Sequence, residues 1–276
     1  MMFSVSFGML ALSTILMIIA GVFGLDIKSL PVFCVAQVLT QVLSFVAPVV
    51  FIVWLYHRDE PREFLRADFA ASKWRLSLAG IAAWVLFTPL MDWTVVWNDN
   101  IHFGEALAPL EELLRRIGEE SQALLDQILM GDSVVHLVVS LLVVAIIPAV
   151  CEEVFFRAGM QNLMLRWVKN PHVAVWVTAA VFSLFHGEVF AFLPRFLMGA
   201  VLGYLYLGSN SIVPNMVAHF FNNAVAVVLT WLISRGVVDM DPEAPLALAW
   251  PVTLGCTVAA IAVMYVSFGK NLKISR

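Results

Sequence analysis

Three stretches of polar residues interrupt otherwise apolar sequence, and their types and spacing are those of hydrolytic chemistry. The first is Ile-Pro-Ala-Val-Cys-Glu-Glu-Val-Phe-Phe-Arg, holding Glu152, Glu153 and Arg157. The second is Phe182-Ser-Leu-Phe-His186, and the third is His219-Phe-Phe-Asn222-Asn223. On a helix, Glu153 and Arg157 stand four residues apart and share a face, whereas Glu152 points about 100° away. One carboxylate thus has a cation on its own helix and the other has none. His219 and Asn223 likewise share a face, with Asn222 beside them. Pro148, four residues before Glu152, is expected to kink the helix and open room for water.

Each stretch has a plainer reading. Glu-Glu-x-x-x-Arg suits a helix end whose charges reach lipid headgroups, and a lone membrane histidine more often bonds one helix to another than reacts. Ionisable groups inside apolar helices are costly unless paired or hydrated, however, so three separate helices carrying them are best served by convergence.

A glutamate in a poorly hydrated cavity holds its proton more readily than in water, which makes it a competent base near neutral pH. Glu152 could then deprotonate a water, with His186 holding that water or sharing the proton. His219 and the Asn223 amide are donors suited to an oxyanion. Ser183, three residues before His186, is a weak candidate nucleophile with no base evidently paired to it. A metal reading uses the same atoms: Glu152, His186 and His219 could hold zinc with an open position for water. The chain has no HExxH signature, and the sequence leaves the metal and metal-free alternatives open.

These residues need membrane helices to hold them. Of 276 residues, 61% are hydrophobic and 13% charged, with a mean hydropathy of +0.90. A soluble domain is about half apolar and a quarter charged, so the excess faces lipid and the bilayer is the first partner. The net charge of −4 and the absence of long charged runs give no reason to expect nucleic acid. Cys34, Cys151 and Cys256 lie far apart without metal spacing. They read as small apolar residues, not as a disulfide framework.

A helix crosses the hydrocarbon layer in about 20 residues. Segments 3–24, 31–56, 77–97, 134–151, 172–187, 190–208, 212–234 and 246–268 meet or approach that length. The sequence therefore predicts an all-α, polytopic bundle of about eight helices forming a single membrane domain over 1–276. Segment 3–24 lacks a basic n-region and reads as a first spanning helix rather than a signal peptide. The fifth and sixth segments are short and close, so one is expected to tilt or re-enter. Leu110, Leu113, Leu114, Ile117, Leu124, Leu125 and Ile128 alternate helically with acidic residues across 105–130, predicting one or two amphipathic helices in the longest connector. Gly199 and Gly203, spaced GxxxG, are expected to let helices approach closely within the chain.

Orientation follows from lysine and arginine. Arg58, Arg62, Arg66, Lys73, Arg75, Arg166, Lys169, Lys270, Lys273 and Arg276 fall on one side, against Lys28, Arg115, Arg116, Arg195 and Arg235 on the other. Both termini are expected to be cytoplasmic, in a plasma (inner) membrane. On this topology Glu152 and His219 share the cytoplasmic half. His186 comes late in a helix that starts there, and its depth fits least.

At these residues the sequence resembles the CAAX-protease and bacteriocin-processing family, whose pattern is EExxxR, then FxxxH, then HxxxN or HxxxD, on successive membrane helices. Here these are Glu152-Glu153…Arg157, Phe182…His186 and His219…Asn223, within a core spanning 132–236. Residues 1–131 carry no matching motif, and 237–276 supply the last helix and a cytoplasmic tail. The resemblance implies an eight-helix fold and an intramembrane endopeptidase acting on membrane-associated proteins or peptides. It makes Glu152 the water-activating base assisted by His186, His219 and Asn223 the oxyanion pair, and Glu153 and Arg157 their support. It leaves open whether zinc takes part and whether the substrate is prenylated. A proton- or ion-coupled transporter and a non-catalytic scaffold are the other classes considered. A transporter would distribute charges through the membrane thickness or carry inverted repeats, and neither is evident.

Overall fold

The computed structural model describes residues 29–240 and 248–272, together with scattered positions between 11 and 24. The expected first spanning segment, 3–24, falls largely outside the described residues. The described elements are helical. They are α1 (Leu30–Tyr56), a short α2 (Pro61–Leu65), α3 (Ala71–Asp99), α4 (Ala108–Leu129), α5 (Val134–Val168), α6 (Pro171–Phe185), α7 (Phe192–Ser209), α8 (Val213–Ser234) and α9 (Trp250–Leu272).

Six of these, α1, α3, α5, α7, α8 and α9, contain spans long and apolar enough to cross a membrane. With α6 as a shorter apolar helix, the described residues fall short of the predicted eight. The apolar stretches, together with Val50, Phe51, Trp54, Val252, Leu254 and Val266 exposed on their outer faces, make this a multi-pass integral membrane protein.

The largest departure from the sequence reading is α5. The fourth segment was expected to stop near residue 151, because two glutamates and an arginine look like a helix end. The helix instead runs 35 residues, from Val134 to Val168, and Glu152, Glu153 and Arg157 lie within it. They are tolerated there because they are buried in protein, not lipid. Two stretches of α5, Leu141–Ile146 and Val154–Gln161, are wound as π-helix, as is Val42–Val46 in α1. Each widened turn inserts a residue and re-aims those around it, a device common at functional sites.

The short α6 bears on the depth of His186. Its 15 residues rise roughly 22 Å at about 1.5 Å each, well under a bilayer's hydrocarbon core of about 30 Å. The chain turns at His186 and Gly187 (φ +72°) and returns as α7. This hairpin packs through the predicted GxxxG: a Cβ on Gly199 would sit 3.0 Å from the Ala179 Cα, and one on Gly203 would lie 2.8 Å from Val175 Cγ1. Its tip is fastened by Asn98 of α3. The Asn98 amide donates to the Val189 carbonyl (3.0 Å) and accepts from the Leu193 amide (2.9 Å). Below, Phe45, Phe155, Phe156 and Phe182 form an aromatic core joining α1, α5 and α6.

The connector carries one amphipathic helix, α4, where one or two were expected. Arg115, paired with Glu111 on its own helix, ties α4 to the preceding turn through Asp99 and stacks over the Phe190 ring at 3.9 Å.

Candidate active site

The polar residues of α5, α6 and α8 meet in one buried cluster. Glu153 and Arg157 are wholly buried, with the arginine Nε 3.1 Å from Glu153 Oε2. The other Glu153 oxygen lies 2.9 Å from His219 Nδ1. A carboxylate only accepts, so Nδ1 carries a proton and donates to it, and Nε2 is turned toward Glu152. His186 is set the same way. Its Nδ1–H donates to the Phe182 carbonyl at 2.8 Å, again leaving Nε2 turned toward Glu152.

Both Nε2 atoms face Glu152. Each is 4.0 Å from its Oε2, an oxygen with no hydrogen-bond partner of its own. Four ångströms is too long for a direct hydrogen bond and suits groups bridged by one water. Glu152 is 7% exposed and His219 3%, while the His186 side chain is 30% exposed. The cluster therefore opens to its surroundings on the His186 side. Phe182, first residue of the FxxxH pattern, is the ring the site is built around: His186 lies 4.9 Å away, His219 6.1 Å and the Arg157 guanidinium carbon 5.3 Å.

Asn223 sits a turn beyond His219. Its amide donates to the Val144 carbonyl (3.2 Å) and its oxygen accepts from Asn222 (2.9 Å). Val144 lies in the π-wound turn Leu141–Ile146 that runs into Pro148, which has no N–H to give a carbonyl of that turn. Asn223 thus repairs the break made by Pro148, leaving one amide hydrogen for other work. Ser183 donates to the Phe192 carbonyl at 2.6 Å and helps hold the hairpin, so its geometry is that of a structural serine.

Glu152, His186 and His219 are donors of the kind zinc takes, each histidine bonded through its other nitrogen as such ligands usually are. The spacing is wider than the chemistry wants. Bonds of about 2.1 Å put tetrahedral ligand atoms roughly 3.4 Å apart, against 4.0 Å here. Among the described residues no three such side chains are grouped closely enough to hold a metal ion.

One participant was missed in the sequence. Gln41 of α1 is buried, and its amide nitrogen is 3.5 Å from Glu152 Oε1. The available signal was Gln37, Gln41 and Ser44 at helical spacing in an apolar helix, an expense that calls for a partner.

Residues 134–225 match the family described as type II CAAX prenyl endopeptidase Rce1-like. The match covers a third of the chain and contains all three motifs, placing this segment in the family that those motifs resemble. At the family level the match supports a CAAX-protease-like intramembrane peptidase. No curated protein matches the chain, and no solved structure matches it.

Proposed function

We propose that the chain is a membrane-embedded endopeptidase that hydrolyses membrane-associated peptides or proteins with a water activated by Glu152. The observation that carries this is the geometry of Glu152 Oε2, buried without a partner and 4.0 Å from the Nε2 atoms of two imidazoles. A water in that gap gives one proton to Glu152 Oε2 and is oriented by His186 Nε2. Its oxygen attacks the substrate carbonyl carbon, and the π electrons move to the carbonyl oxygen. His219 can donate at Nε2 when it also carries a proton there, with Glu153 bracing its other nitrogen. Together with the free Asn223 N–H it would meet the oxyanion. As the tetrahedral intermediate collapses, the C–N bond breaks and Glu152 returns its proton to the leaving amine.

Glu153 and Arg157 neutralise each other and fix His219. The 4.0 Å spacing of Glu152 from His186 and His219 is wider than zinc takes, so the proposed reaction is carried by the side chains and the water alone. Elemental analysis of purified protein addresses that point. The lysine and arginine distribution supports cytoplasmic termini in the plasma (inner) membrane.

Glu152→Ala and His186→Ala should each abolish cleavage while the protein still inserts and stays folded. Cleavage by purified Glu152→Ala protein would sink the mechanism. Comparing new C-termini in membrane proteomes of cells carrying wild-type and Glu152→Ala protein would identify substrates. Proton flux in liposomes, lost in Glu152→Gln without any proteolysis, would point to a transporter instead.

A further inference from the structure

We infer that Gln41, on α1 and outside the segment that matches the family, is a positioning residue for Glu152. The inference rests on the peptidase reading above. Gln41 is 9% exposed in a largely apolar helix, and such burial is costly without a partner. Its amide nitrogen is 3.5 Å from Glu152 Oε1, across 111 residues of sequence. A carboxylate has no hydrogen to offer, so the amide is oriented with its NH₂ toward Glu152 and donates to it.

The two Glu152 oxygens are thereby divided. Oε1 is taken up by Gln41, and Oε2 is left to face His186 and His219. A carboxylate on a flexible two-carbon stem could otherwise swing about its terminal torsion and present either oxygen or neither. Holding one oxygen fixes the other, and misplacing a base by an ångström is enough to slow a reaction substantially. The local winding supports this role. The π-helical turn Val42–Val46 begins at the residue after Gln41, and Gln41 and Ser44 are both buried where α1 packs against α5.

The first test is kinetic. Gln41→Met keeps the length and removes the donor. It should lower kcat about tenfold or more, the loss expected for a hydrogen bond to a charged group, with KM within about twofold because substrate contacts are untouched. The second is independent of activity. With Cys34, Cys151 and Cys256 replaced by alanine, Gln41→Cys paired with Glu152→Cys should be joined by a short bis-methanethiosulfonate linker. Leu39→Cys, on the exposed face, paired with Glu152→Cys should not be.

A raised KM with kcat unchanged, or kcat equal to wild type, would overturn the inference. So would failure of the 41–152 pair to cross-link in protein whose wild-type parent cleaves. If wild-type protein cleaves nothing while that pair does cross-link, it is the peptidase reading that has failed, and the catalytic role of Gln41 with it.

Discussion

Several buried polar side chains of the site are partnered across long stretches of chain, and the partnerships assign the roles of adjacent residues. Glu152 and Glu153 differ by one position yet live in opposite circumstances. Glu153 is held by Arg157 and His219, while Glu152 keeps a free oxygen. That division was legible in the sequence, because side chains one residue apart on a helix diverge and those four apart meet. Gln41 was not legible, since its partner lies on another helix and no local spacing points to it. Asn223 carries a dependence that only the geometry reveals. Pro148→Ala would supply an N–H to the turn that holds Val144 and free the Asn223 amide. Asn223→Ala should therefore destabilise the wild type by about 1–3 kcal/mol through an unpaired carbonyl, and noticeably less in the Pro148→Ala background. Unfolding measurements on the four proteins in detergent give the coupling directly.

At the scale of elements, helix positions were readable from hydropathy, but helix ends were not. The Glu-Glu-Arg cluster ended a hydropathy window without ending the helix. Its charges cancel inside the protein, so α5 continues to Val168. The reverse held for α4, whose amphipathic pattern gave its position closely because it lies among polar groups. There Glu111 accepts from the Phe103 backbone amide (2.9 Å) and pairs with His102 and Arg115. The Phe103 hydrogen bond, aided by those neighbours, holds its carboxyl down at about 2 against an ordinary 4.5. A carboxyl depressed on folding contributes stability above its unfolded pKa and loses it as pH falls through the folded one. The anchorage of α4 on the 99–103 turn should therefore be intact above about pH 4.5 and fade towards pH 2. Hydrogen exchange of 99–115 should rise over that window, and Glu111→Gln should flatten the dependence.

For the whole molecule, the later helices were far easier to interpret than the earlier ones. The site draws on α5, α6 and α8, whose motifs lie within 152–223, so sequence order and spatial order nearly coincide there. The contributions of α1 and α3 arrive from the far end of the chain, through Gln41 at the base and Asn98 at the hairpin tip. Neither leaves a pattern in local spacing. His186 fits least in depth if α6 is a full crossing; its 15 residues fall short of one, in keeping with the expected tilt or re-entry, and the chain turns at Gly187 and returns as α7.

That shortfall has a consequence for the lipid. A hydrophobic helix about 8 Å shorter than the layer around it obliges the bilayer to thin locally. The thinning would fall beside His186, the exposed member of the site, bringing headgroups and water toward the reacting carboxylate and lowering the barrier for a peptide to enter from the side. Turnover should then depend on acyl-chain length. In proteoliposomes, cleavage should be faster in lipids with 14-carbon chains than in those with 20, since the thicker film resists the deformation; equal rates across the series would mean that the hairpin does not dimple its membrane.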